Sequence, residues 1–138
     1  MPHRVVFDTN ILFSAFGWRG SPYECVQLAR QKKIIAITCP EILQELEDKL
    51  FFKREMSMAN VARTLTEISV FCEMVAITNE LRVITADSKD DKVIECALVG
   101  KATHIVTGDR RHLLPLREHK GIIILNPADF LAQFKEEG

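Results

Sequence analysis

The sequence predicts an α/β fold: a three-layer α/β/α sandwich around a central parallel sheet of about five strands. Three observations predict it. Short β-branched apolar runs alternate with helical patterns along the chain, the order expected when helices cover both faces of a parallel sheet. The runs are nearly continuous in apolar residues rather than alternating, which suits strands buried on both faces. No linker, repeat or low-complexity segment interrupts the 138 residues, so 1–138 reads as a single domain with chain enough for a sizeable core.

The predicted strands are 5–7, 34–37, 74–77, 105–107 and 122–125. The predicted helices are 22–31, 41–50, 57–72, 90–99 and one near 128–135. In the second helix, "PEILQELEDKLFF", Pro40 suits a first turn. Ile42, Leu43, Leu46 and Leu50 form its apolar stripe. Glu41 and Asp48 point away from that stripe, and Glu45 and Glu47 sit at its borders. The fourth helix starts in "ADSKDDKVIECAL", where Asp87 or Ser88 supplies a cap and Asp90 and Asp91 occupy the first turn. "NPADF" marks a turn and a last helix start, and "KEEG" a frayed end.

Composition narrows the function classes. Hydrophobic residues make up 47% and charged residues 27%, an ordinary soluble balance. A net charge of −1 writes no global attraction to nucleic acid into the chain, although local basic clusters remain. Cys25, Cys39, Cys72 and Cys96 form no CxxC pair and read as buried thiols in a reducing compartment. No signal peptide or membrane-length apolar run is present. A cytoplasmic protein without membrane partners is expected.

The functional signal is the placement of acids. In "RVVFDTNILFSAF", Asp8 separates two apolar runs, and a carboxylate there must be solvated, paired or bound to a metal. Ligands bind beyond the carboxyl ends of parallel strands. Asp8 lies just past the first strand and Asp109, in "HIVTGDRRH", just past another, so the two should share one edge of the sheet. Taken singly, each also fits an ordinary helix cap. Three aspartates in five residues, Asp87, Asp90 and Asp91, exceed what a cap needs.

"VVFDTNILFSAF", "EILQELEDKL", "DSKDDKVIECALVGKATHIVTGD" and "GIIILNPADFL" together resemble a PIN domain over nearly the whole chain. The similarity is greatest to the bacterial and archaeal branch described as toxin components of toxin–antitoxin pairs. The resemblance implies a metal-dependent ribonuclease site of three or four acids. Carried over by motif, these are Asp8, Glu45, Asp91 and Asp109. Asn10 matches the loop-organising asparagine of DTN, and Thr107 the small hydroxyl residue two before the last aspartate. Asp90 also stands where this branch often carries an acid. The resemblance leaves Asp90 and Asp91 open, and spacing favours Asp91. It further implies a homodimer and a cognate antitoxin.

The chemistry of the residues agrees. Four clustered carboxylates repel one another unless a cation joins them. Oxygen ligands with no nearby histidine suit Mg²⁺ or Mn²⁺ rather than zinc. His3, His104, His112 and His119 read as structural or solvent-facing, although His112 lies near Asp109. Arg110, Arg111, Lys89 and Lys92 flank the acids and would contact RNA phosphates. The Lys53–Arg54 pair reads as ordinary surface, and Trp18 and Tyr23 as loop packing or base-stacking residues. Two other classes compete. A haloacid-dehalogenase-like phosphatase would need an aspartate where Asn10 stands, and an acid where Arg110, Arg111 and His112 follow "GD". A non-catalytic RNA- or antitoxin-binding module would keep the acids without cleaving RNA.

Overall fold

A computed structural model of the protein describes residues 2–83 and 88–137, without the side chains of Ser88 and Lys89. Its elements run β1 (Arg4–Phe7), α1 (Thr9–Ala15), α2 (Ser21–Arg30), β2 (Ile35–Thr38), α3 (Pro40–Phe52), α4 (Met58–Phe71) and β3 (Cys72–Met74). They continue with α5 (Ser88–Val99), β4 (His104–Val106), a 3₁₀ turn (Leu114–Leu116), β5 (Glu118–His119), β6 (Ile122–Leu125) and α6 (Pro127–Glu137). The expected capping of α5 by Asp87 or Ser88, and the expected phosphate contact of Lys89, fall on side chains outside the described residues.

Strand order in the sheet is β3-β2-β1-β4-β6-β5. All neighbours are parallel except β5 and β6. Helices flank the sheet in an α/β/α arrangement, as expected. The sheet has six strands rather than about five, because the Glu118–His119 pair adds an antiparallel edge too short to show any sequence pattern. Val5, Val6 and Phe7 are fully buried in the interior strand β1. Strand β6 departs from continuous burial: Ile122 and Ile124 face the core while Ile123 is exposed. Only two residues of β5 cover that edge.

Local signals explain most boundaries. Pro40 and Pro127 begin α3 and α6, where a missing N–H costs nothing. Ser57 caps α4 by accepting the Asn60 N–H at 3.1 Å. Ile42, Leu46 and Leu50 form the buried stripe of α3, and full burial of each such side chain contributes about 1.5–3 kcal/mol. At the end of α5 the chain passes close to β2: a Cβ on Gly100 would meet Ile37 Cγ2 at 2.7 Å.

Two elements differ from expectation. Strand β3 covers Cys72–Met74, not 74–77. The sheet takes up the chain directly from α4, and after the Val75 N–H bonds to the Thr38 carbonyl the chain leaves it. Thr78 and Asn79 then bond to a buried glutamate on α5, described below. Helix α1 is absent from the sequence reading, because seven residues span too few turns to display a helical period. The four cysteines are free thiols, with Cys25, Cys39 and Cys96 buried. No helix among the described residues is long and apolar enough to cross a membrane.

Candidate metal centre

Strands β1 and β4 lie side by side, so the residues following them meet at one edge of the sheet. Asp8 begins there. It occupies the N-cap position of α1 but makes no side-chain cap hydrogen bond. Instead its Oδ2 accepts the Thr107 hydroxyl at 2.7 Å. The same Thr107 oxygen accepts the Asp109 N–H at 3.0 Å. One hydroxyl thus ties the two strand-end acids together. Asp109 also organises the turn that follows, accepting the N–H groups of Arg111 and Leu113, each at 3.1 Å. The capping alternative therefore holds in part for Asp109 and fails for Asp8.

A cleft of about 640 Å³ opens over this edge. Asp8, Glu45, Asp90 and Asp109 line it, with Asn10, Lys49, Arg110, Arg111 and His112. Glu45 reaches it from the border of the α3 stripe, as its position predicts. Asp91 does not line it. Spacing favours Asp91 over Asp90, and the structure places the two in different depressions. Successive helical residues point about 100° apart, so the two carboxylates leave the helix in different directions. Asp90 lines the cleft, while the buried Asp91 accepts the Val83 N–H at 2.9 Å. Lys92 lines, with Asp91, a neighbouring depression whose walls include Glu41, Asn79 and Glu95.

A correction concerns His112. Its Nδ1 lies 2.8 Å from Asp90 Oδ2 and 3.8 Å from Asp109 Oδ2. The site therefore contains a nearby histidine, contrary to the oxygen-only expectation. One ligand atom from each of Asp90, Asp109 and His112 lies within 4.8 Å of the others. Two carboxylates and one imidazole, half-buried and convergent, fit a single divalent cation. The imidazole departs from the all-oxygen ligand set that suits Mg²⁺. The other histidines stand apart: His104 is buried in β4 with its ring against His3 and Phe130.

The remaining expected residues divide between the cleft and the scaffold. Arg110 and Arg111 are exposed at the cleft wall. Arg54 is structural, donating to the Phe13 carbonyl at 2.7 Å with its guanidinium 3.8 Å over the Phe13 ring. Tyr23 lies beneath Arg19, and Trp18 is exposed outside the residues that line the cleft. Two residues escaped the sequence reading altogether. Lys49, one turn after Glu45, donates to Asn10 Oδ1 at 2.5 Å and lies 3.6 Å from Glu45 Oε1. Glu95, one turn after Asp91, accepts backbone N–H groups from Thr78 at 2.6 Å, Asn79 at 3.1 Å and Leu81 at 3.3 Å. An acid inside the apolar run "VIECAL" was the available signal for Glu95.

Burial pushes the Asp8 carboxyl above its ordinary range. The Thr107 hydroxyl opposes the shift and the Glu45 charge adds to it. A raised carboxyl pKa means that the folded state binds the proton more tightly than the unfolded chain. Above the unfolded pKa, the charge on Asp8 therefore weakens the metal-free fold. Asp8→Asn removes that charge at nearly constant volume. The metal-free variant is expected to melt above wild type, because the cost of desolvating the carboxylate is removed. Thermal melts in chelator at neutral pH check this, and a clearly less stable variant would make Asp8 chiefly a support for the loop after β1.

A family model described as "PIN domain" matches residues 4–111, from β1 through Arg111. The chain is also similar to an uncharacterized protein of Methanocaldococcus jannaschii, at 30% identity over an alignment covering 96% of this chain and 92% of the relative.

Proposed function

The chain belongs to the PIN-domain family, whose members are generally metal-dependent nucleases, and from that premise we propose that it is a divalent-metal-dependent endoribonuclease acting as a single domain over 1–138. The observation that carries the reading is the convergence of Asp90, Asp109 and His112 within 4.8 Å. Asp8 and Glu45 line the same cleft, and Arg110 and Arg111 form its rim. In the proposal, Asp90, Asp109 and His112 hold the ion, and Asp8 and Glu45 complete the negative cleft around it. A bound Mn²⁺ or Mg²⁺ supplies an activated water and Lewis-acid charge for hydrolysis of a phosphodiester.

The chain's own residues do the rest. Thr107 fixes Asp8 and Asp109 relative to one another, so the acids need little reorganisation. Arg110 and Arg111 place the phosphate backbone without reading its bases. Asn10, in place of the second aspartate a haloacid-dehalogenase-like phosphatase requires, faces Lys49 and argues against that alternative. The toxin-branch resemblance supports a finer reading, a homodimeric cytoplasmic toxin neutralised by an antitoxin. Growth arrest on expression, relieved by the product of a neighbouring gene, is its test.

Purified protein should cleave single-stranded RNA in Mn²⁺ and stop on chelation. Absence of metal-dependent cleavage across Mn²⁺ and Mg²⁺ would favour the non-catalytic RNA- or antitoxin-binding module. Arg110→Ala with Arg111→Ala should weaken RNA binding and flatten its dependence on salt by up to about 1.4 in the log–log slope, since fewer counterions are released from a single strand. Binding curves over a salt series measure it, and an unchanged slope would return both arginines to ordinary surface charge.

A further inference from the structure

The acidic cleft is divided. Asp90, Asp109 and His112 converge on one side. Glu45, Asn10 and Lys49 occupy the other, with Lys49 reaching both partners. A lysine that served only to attract substrate would extend its ammonium into solvent. Lys49 instead turns inward, with four-fifths of its side chain covered. Holding it there costs side-chain entropy and hydration. The acids offset that cost, because Glu45 and Asp8 would otherwise repel each other across the cleft. The Lys49 charge also acts on Asp8, where it opposes the effect of Glu45.

We propose that the Lys49 ammonium holds the place that a second metal ion would take beside Glu45, so that this cleft binds one divalent ion and not two. The proposal rests on reading the cleft as a metal-dependent nuclease site. In two-ion sites the ions lie about 3.5–4 Å apart, each needing carboxylate charge. Here the carboxylate on the Glu45 side already has a monovalent partner one helical turn away. Lys49 would then steady the negative charge of substrate and acids alike without exchanging with solvent, as a dissociable ion does.

The test counts ions. Mn²⁺ bound per chain is measured by electron paramagnetic resonance and by isothermal titration, on wild type and variants, from micromolar to millimolar Mn²⁺. Wild type should bind one ion, and Lys49→Met two. Lys49→Arg, which keeps the charge, should bind one, and Lys49→Met with Glu45→Gln should return to one. Two ions in wild type would overturn the proposal without any variant, and so would one ion in a folded Lys49→Met protein. RNA cleavage is assayed on the same samples. One bound ion without cleavage would defeat the nuclease reading and leave the ion count standing. No bound ion in wild type would defeat both.

Discussion

Asp90→Asn is expected to reduce metal-dependent RNA cleavage by about 10²–10³-fold, the range typical of losing one preorganised electrostatic group. Asp91→Asn is expected to stay within about tenfold of wild type. The two aspartates are adjacent and chemically identical, so composition cannot separate them; only direction can. Asp90 faces the cleft with Asp109 and His112. Asp91 is buried and accepts the Val83 N–H. Its loss should appear in stability, at about 1–2 kcal/mol for a weakened buried hydrogen bond to a charged group. Initial cleavage rates and thermal melts of both variants give the four values needed. A more severe loss of activity in Asp91→Asn than in Asp90→Asn, with both folded, would return the third ligand to Asp91.

Glu95→Gln is expected to destabilise the protein by about 2 kcal/mol at neutral pH, within the range for hydrogen bonds to a charged group. The carboxylate lies just beneath the surface of the depression beside α5 and holds the segment that leaves β3. Asn79 takes φ 65° to present its N–H, a conformation asparagine tolerates better than most residues. Burial raises the Glu95 carboxyl, but the N–H groups of Thr78, Leu81 and Asn79 and the Thr78 hydroxyl outweigh it and leave the pKa below its ordinary 4.5. Between the folded and unfolded values the unfolded chain binds more protons. The contribution is therefore complete above about pH 4.5 and is lost as pH falls through the lower, folded value. Glu95→Gln should flatten that acid limb. Melts at neutral pH and below pH 4.5 would show it, and equal acid sensitivity in both proteins would assign the limb to other carboxylates.

Much of this architecture is legible in residues alone, for identifiable reasons. Asp8 and Asp109 are readable because each ends an apolar run, and parallel strands present such ends together. Glu45 is readable because a helical stripe fixes its border. Asp90 is not, since its neighbour Asp91 turns to the Val83 N–H, eight residues before Asp91, a contact that leaves no periodic trace. His112 is legible only as a neighbour of Asp109, because its placement depends on the turn that Asp109 organises, and Lys49 escaped because its role depends on the approach of α3 to α1. Helix α1 escaped through shortness, and the end of β3 moved because Glu95 draws the chain out of the sheet.

The hydroxyl of Thr107 joins Asp109 to Asp8, which lies 99 positions earlier in the chain than Thr107. Synthesis runs from the amino end, and domains fold as units during it. Strand β1 emerges early, but its acid has no partner until β4 has been made and has docked beside it. A nascent chain released before Asp109 therefore holds Asp8, Glu45 and Asp90 with no closed constellation. The order of the strands thus leaves the proposed site incomplete until β4 and Asp109 have been made.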